Sequence, residues 1–226
     1  MDKSGHILSA YSLSLIGIHL MKQTGMDEKK AAWIGGLYGP VFLSGIEILD
    51  GFSEKWGFSI PDMAANVAGS ALAVSQELLF GRQVARIKYS YHESGIAKYR
   101  PDALGKNLPE RMLKDYNGQT HWLSVNLDEL SRRRELFPAW LNISLGYSAN
   151  GLIGGYSNPE VINGQELPHF DRYSQIYLAP DIDLSKIRTR STILNYLLRS
   201  LNFLKVPSPA LEYNIKEGFK LHLLYF

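Results

Sequence analysis

The hydrophobic period of this chain changes once, at Gly81, and that change bounds the folds open to it. Up to Phe80, apolar residues recur at three- and four-residue steps, the spacing of a helix face. Beyond Gly81 they alternate with polar residues, the spacing of a strand. Helices followed by strands predict an α+β chain. We expect a bundle of three helices at residues 1–81. An antiparallel β-sheet or small partial barrel, with one or two extra helices, should occupy 82–226 and pack with the first part as one unit. A chain of 226 residues suffices for such a core.

Within the first part, Ile7, Leu8, Tyr11, Leu15, Ile18 and Met21 mark a helix over 3–24, ended by Thr24-Gly25. Asp27 suits the N-cap of a second helix running to about Asp50, with a kink or close helix contact expected at Gly35, Gly36, Gly39 and Pro40. Ser59-Ile60-Pro61-Asp62 fits a capping box that opens a third helix ending at Phe80. Neither 27–50 nor 64–80 offers roughly 20 apolar residues free of Gly, Pro or charge, as a spanning helix would. In the second part, Val84–His92, Trp122–Leu127, Trp140–Ser148, Tyr173–Leu184 and Phe219–Phe226 read as strands of a five- or six-stranded sheet. Asn117-Gly118 and Asn150-Gly151 read as turns, and Pro109–Tyr116 and Ser191–Lys205 as helices.

The charge is uneven. Residues 1–80 hold 5 Lys/Arg against 8 Asp/Glu, and the remainder 19 against 14. A net charge of +2 is too small to suggest a nucleic-acid partner. With no Cys there is no disulfide, thiolate site, cysteine nucleophile or lipidation site in the chain as given. Met1 stands directly against the first polar group, so we expect a leading signal segment to have been removed or to be absent from this chain.

Three polar groups interrupt the apolar helices: Asp2-Lys3-x-x-His6, Glu47-x-x-Asp50 and Asp62-x-x-x-Asn66-x-x-Gly69. Each is at helical spacing, and buried ionisable groups need partners, so the three predict one shared cluster. Asp2 and His6 are an i, i+4 pair; a carboxylate that orients an imidazole suits a general base or a metal ligand, though a helix cap explains Asp2 as well. Acidic Glu47 and Asp50 oppose the dipole at a helix C-terminus, so Lys3, His6, a metal ion or solvent must compensate. Asp62 has a capping explanation, whereas Asn66, amid Ala64, Ala65 and Val67, must hydrogen-bond across helices or face a cavity. Gly69, Ser70 and Ala73 would let another helix approach closely.

Elsewhere, His19, His92, His121, His169 and His222 lack metal-ligand spacing, and there is no G-x-S-x-G, P-loop or dinucleotide fingerprint. Arg132-Arg133-Arg134 reads as a solvated loop, or else a phosphate or lipid-headgroup contact. Phe219–Phe226, ending in an aromatic pair, resembles the last strand of an outer-membrane barrel as well as an ordinary edge strand.

Taken together, Asp2-Lys3-x-Gly5-His6, Glu47-x-x-Asp50-Gly51-Phe52-Ser53 and Trp56-Gly57-Phe58-Ser59-x-x-Asp62-x-x-Ala65-Asn66-x-x-Gly69 resemble the YfiM-type predicted periplasmic lipoproteins, a domain of unknown function. Ala97-Lys98-Tyr99-Arg100-Pro101 and Lys114–Thr120 extend the likeness to its longer members. The order of the three groups is also similar to that of VanZ-like membrane proteins. The resemblance implies a periplasmic or outer-membrane location, a removed signal sequence and no assigned reaction, and the chain departs from it in having no Cys to lipidate.

The leading expectation is a non-enzymatic envelope component whose polar cluster locks helices together and whose aromatic sheet meets a partner or a membrane. Outer-membrane lipid or an envelope protein complex would be that partner, and charged residues outward on both sheet faces would defeat the membrane part. The rival is a hydrolase or transferase acting on a lipid, cell-wall or phosphate-bearing substrate. There His6 would be the base and Asp2 its orienter; Glu47, Asp50 or Asp62 would be the acid or a metal ligand, and Lys3 and Asn66 would stabilise negative charge. A structural metal is a third reading. The sequence names no cofactor.

Overall fold

The structure, a computed structural model, describes residues 1–52, 57–131, 136–162 and 164–226. Ser53 and Trp56 of the second and third motifs, and Arg132–Arg134, lie outside the described residues. The chain forms two compact units, Asp2–Ile87 and Lys88–Phe226.

The first unit has four helices: α1 (Asp2–Gln23), α2 (Glu28–Gly36), α3 (Tyr38–Asp50) and α4 (Ile60–Phe80). The expected second helix is therefore two, broken at Leu37. Its cause is local. Pro40 has no N–H to donate to the Gly36 carbonyl four residues back. That carbonyl instead accepts from the Ser14 hydroxyl of α1 at 2.8 Å, so it is not left unpaired. Asp27 caps α2 as expected, accepting from Lys29 N and Lys30 N. By length and composition alone, Glu28–Asp50 is apolar enough to cross a membrane, and one third of it is buried.

Small residues bring the other helices onto α1. A Cβ added at Gly17 would meet the Gly35 backbone of α2. One at Gly39 of α3 would meet the Ala10 carbonyl, and one at Gly69 of α4 the Ile7 carbonyl and, at 3.0 Å, Tyr11 N. Tyr11, Ile18, Ala73 and Val74 form the core between them. Because backbone cannot yield as a side chain tip can, Gly69→Val should lower stability by at least about 1–3 kcal/mol. Urea unfolding checks this, and a loss within error would show that α1 and α4 are not in contact.

The second unit carries a six-stranded sheet in the order β1-β2-β3-β6-β7-β8. The strands are β1 (Ala85–Tyr91), β2 (Gln119–Asn126), β3 (Leu141–Asn150), β6 (Tyr173–Ile182), β7 (Ser208–Asn214) and β8 (Gly218–Tyr225). A separate hairpin pairs β4 (Val161–Ile162) with β5 (Gln165–Glu166). Short helices α5 (Pro101–Leu104), α6 (Leu108–Lys114) and α7 (Leu127–Leu130) lie in the connections, and α8 (Thr192–Ser200) joins β6 to β7. Strand β7 is absent from the sequence reading; Pro209 and Glu212 disguise it, yet it pairs with both β6 and β8.

The sheet curls. Strands β2 and β8 are four places apart in its order, or roughly 19 Å if the sheet were flat. Tyr225 on β8 nevertheless lies 3.0 Å from the Thr120 hydroxyl on β2 and sets its ring against Trp122 and Tyr177. This is the partial barrel, with its aromatic core of Trp122, Tyr177 and Tyr225 inside. Gly146 sits opposite Trp122 because a Cβ there would fall 2.7 Å from the indole ring.

Register shows which face turns in. One row across the sheet is Leu123, Leu145, Leu178, Leu211 and Leu221, and all five are 40–67% exposed. A second row holds Tyr147, Ile176, Tyr213 and Phe219, also exposed. Between these positions the buried side chains are, around the aromatic core, mostly polar: Ser124, Asn126, Asn142, Ser144, Ser148, Gln175, Asp181, Glu212 and Asn214. The polar face is inside and the apolar face outside, the reverse of a sheet whose apolar face packs on a core.

Candidate functional site

In the first unit, α1, α3 and α4 bring most of the predicted residues together. The His6 ring, one turn into α1, has Nδ1 3.0 Å from Asn66 Oδ1 on α4. With that oxygen accepting, Nδ1 carries the hydrogen and Nε2 is the basic atom. Nε2 faces three carboxylates: Glu47 Oε1 at 3.6 Å, Asp62 Oδ1 at 3.9 Å and Asp2 Oδ1 at 4.0 Å. A cation in the gap would meet that lone pair and the three carboxylates together. Lys3 supplies one cation already, paired with Asp62 and 2.9 Å from Asp2 Oδ2.

The capping box of α4 is half made. Ser59 Oγ accepts from Asp62 N at 3.3 Å, but the Ser59 N–H donates to Glu47 Oε2 instead of to the Asp62 carboxylate. Asp62 is thereby left to Lys3. Burial drives the Asp62 pKa upward, but hydrogen bonds from Lys3 and Ser59 and the charge of His6 outweigh it and hold the carboxyl below its ordinary range. On Lys3, burial acts downward and is outweighed by hydrogen bonds to Asp62 and Asp2, so its pKa is raised. Glu47 is almost wholly buried. Asn66 is fully buried, and its Nδ2 has no partner among the described residues. Asp50 is only half-buried in the last turn of α3, and among the described residues it joins neither a hydrogen bond nor an ion pair, so it is not drawn into the cluster.

These shifts have a sign. A depressed folded-state Asp62 pKa stabilises the fold in full above the unfolded value near about 4. That contribution is lost as pH falls from there through the lower folded value. The raised Lys3 pKa works oppositely, and its contribution is lost only at strongly alkaline pH. The chain should therefore melt at falling temperature below about pH 4, and Asp62→Asn should flatten that limb. Parallel acid limbs for the two proteins would exclude the assignment.

Chemically, one oxygen each from Asp2 and Asp62 and a ring nitrogen of His6 lie within 4.8 Å of one another, close enough to share a divalent ion. Lys3 would have to leave Asp62 for the ion to bind. The same set also fits an imidazole base with carboxylate partners.

Comparison with known proteins bears on this unit. Residues 1–77 match the family model described as predicted periplasmic lipoprotein (DUF2279). That match contains every residue of the cluster, from Asp2 to Asn66, and agrees with the likeness read from the three motifs and with its envelope location. DUF2279 carries no assigned function, and the segments at 97–101 and 114–120 fall outside the matched residues. No curated protein and no solved structure matches the chain.

The second unit holds charged groups that the sequence reading passed over. Lys88 and Asp181 are both fully buried, with Nζ 2.8 Å from Oδ2. Asp181 also accepts from Ser124 at 2.6 Å; Ser124 in turn accepts from Asn142, whose Oδ1 accepts from Asn126. Lys205 donates to the Pro180 carbonyl and lies over the Trp122 ring. Nearer the other end, Glu212 takes Gln175, Asn214 and His222 within 2.6–2.7 Å. The signal was present as small residues, Asn142, Ser144, Gly146 and Ser148, at every second place of the strand, which an outward polar face would produce equally well.

Proposed function

We propose that this chain is an envelope protein whose curled sheet sits in the outer membrane, its leucine rows against lipid and its polar side chains sealed inside. One observation carries the reading: the sheet buries Asn, Ser, Asp, Glu and Lys and exposes Leu, Ile, Tyr and Phe. In water that arrangement leaves a contiguous apolar surface unpaid for, whereas in a bilayer it is the low-energy one. Strand length agrees at the centre of the sheet. A spanning strand needs roughly 9–11 residues; the central β3 and β6 have 10 each, and the flanking β1, β2, β7 and β8 have 7 or 8. Aromatic residues stand near both ends of the apolar band, with Tyr147, Tyr213 and Phe219 at one and Phe137 and Trp140 at the other, as in interfacial girdles. At the β1 edge, Lys205 N donates to the Tyr89 carbonyl, so part of that edge is covered by the chain itself. The first unit then serves as the periplasmic part, and its cluster as a lock between α1, α3 and α4.

A flotation experiment tests this. Produced in vitro as these 226 residues, the polypeptide is unlipidated, so flotation reports the chain itself. Refolded into phospholipid vesicles, it should rise with them through a density gradient at alkaline pH, and recovery at the bottom of the gradient would end the proposal.

The convergence of His6, Glu47 and Asp62 favours a second reading, in which the cluster is catalytic toward a lipid, cell-wall or phosphate-bearing substrate. If His6→Ala leaves the chain folded and the phenotype of a cell lacking the wild-type protein fully restored, that reading is excluded.

A further inference from the structure

The segment between β6 and β7 stands apart in charge and in exposure. From Leu184 to Leu211 it has no acidic residue but carries Lys186, Arg188, Arg190, Arg199 and Lys205. Within it, α8 buries none of its residues. Ile193 is 74% exposed, and Tyr196 and Leu197 are exposed beside it. The opposite side is tied down: Asn195 Oδ1 accepts from Thr189 N at 2.8 Å and its Nδ2 donates to the Thr189 carbonyl, which fixes the helix against the basic segment that precedes it. Ser191 caps it through Leu194 N. Arg188, Arg190 and Arg199 are exposed, and no carboxylate among the described residues pairs with them.

Position in the sheet gives the occupant. Ile182, the last residue of β6, pairs with Leu141, which follows Trp140 at one end of the apolar band. Tyr225, the end of β8, pairs with Ser208 at that same end. His92, after β1, bonds Gly118, before β2, at the opposite end, so β1 also begins on the α8 side. The β6–β7 connection that carries α8 therefore leaves and re-enters the sheet at that one end. An exposed apolar helix face, rimmed by arginines that pair with no carboxylate among the described residues and set in the connection at one end of the sheet, has the composition of an in-plane interfacial helix. We propose that α8 lies in the headgroup layer of an anionic phospholipid leaflet, with Ile193, Tyr196 and Leu197 in the acyl boundary and Arg188, Arg190 and Arg199 on lipid phosphates.

This rests on the lipid-facing reading of the sheet, and the test separates the two. With no native Cys, single cysteines take a polarity-sensitive fluorophore cleanly. Ile193→Cys reports α8, and Leu178→Cys reports the sheet. The full chain is refolded into vesicles of phosphatidylcholine with and without phosphatidylglycerol. The Leu178→Cys probe should be in an apolar setting in both. The Ile193→Cys probe should become apolar with phosphatidylglycerol, and return toward water in high salt or when Arg188, Arg190 and Arg199 are all changed to Gln. Each arginine near an anionic surface is worth about fivefold in partition, so the triple change should weaken it on the order of a hundredfold. If Leu178→Cys is apolar while Ile193→Cys stays in water, the α8 proposal fails and the sheet reading stands. Were both in water, the sheet reading itself would fall. An Ile193→Cys signal indifferent to lipid charge, or one that grows with protein concentration without lipid, would also overturn the proposal, the latter by pointing to a second copy of the chain.

Discussion

Asp181→Ala should cost the chain about 3–5 kcal/mol of stability, the largest effect expected of a single change here. Lys88 and Asp181 are both fully enclosed, with Ser124 donating to the same carboxylate oxygen. Removing the carboxylate takes from a fully buried ammonium the charge that compensates it, while the Ile182 carbonyl still accepts from it. Water cannot reach it, so the desolvation penalty returns uncompensated. The pair as a whole is a different matter. Replacing both, as Lys88→Met with Asp181→Leu, should recover most of the loss, because it takes the stranded charge away. Denaturant unfolding in detergent micelles measures all three proteins. A cost below about 1 kcal/mol for Asp181→Ala, or a double variant no better than the single, would mean that the interior admits water.

Leu178→Arg should cost about 2–4 kcal/mol in a bilayer, since Leu178 stands in the middle of the leucine row and would hold the charge near the bilayer midplane. The same charge at Ser174, four residues along the outward face of β6, lies toward the aromatic rim and should cost at most about 1 kcal/mol. A gradient with depth is the signature of lipid. On a water-facing sheet both substitutions would be neutral, because a solvated Arg in place of an exposed Leu loses nothing. Equal, small effects in vesicles would therefore remove the membrane from this account.

The helices and most strands could be read from period alone, since Tyr11, Ile18, Ala73 and Val74 keep helical spacing and Leu141–Asn150 keeps a period of two. The direction of the sheet could not. Alternation in Asn142-Ile143-Ser144-Leu145 is identical whether the leucines point to a core or outward, and only the position of Trp122, Tyr177 and Tyr225 decides it. The helical cluster was legible because Asn66 and Glu47 have no local reason to interrupt apolar helices. Asp50 misled through its spacing alone: one turn from Glu47, it remains half-exposed where Glu47 is enclosed. The break at Leu37 needed one more step, that Pro40 frees the Gly36 carbonyl for Ser14. Neither Lys88–Asp181 nor Glu212–His222 could be foreseen, since the first pair joins strands far apart in sequence and the second depends on the register of a strand that Pro209 concealed.

The stacked rings of Trp122, Tyr177 and Tyr225 fill the bore of the curled sheet, and the Lys88–Asp181 pair lies in the same interior. Such a cross-section has no continuous file of water, so it offers no route for hydrated ions. A planar bilayer containing the protein should show no step-like conductance above background, and vesicles bearing it should keep a potassium gradient.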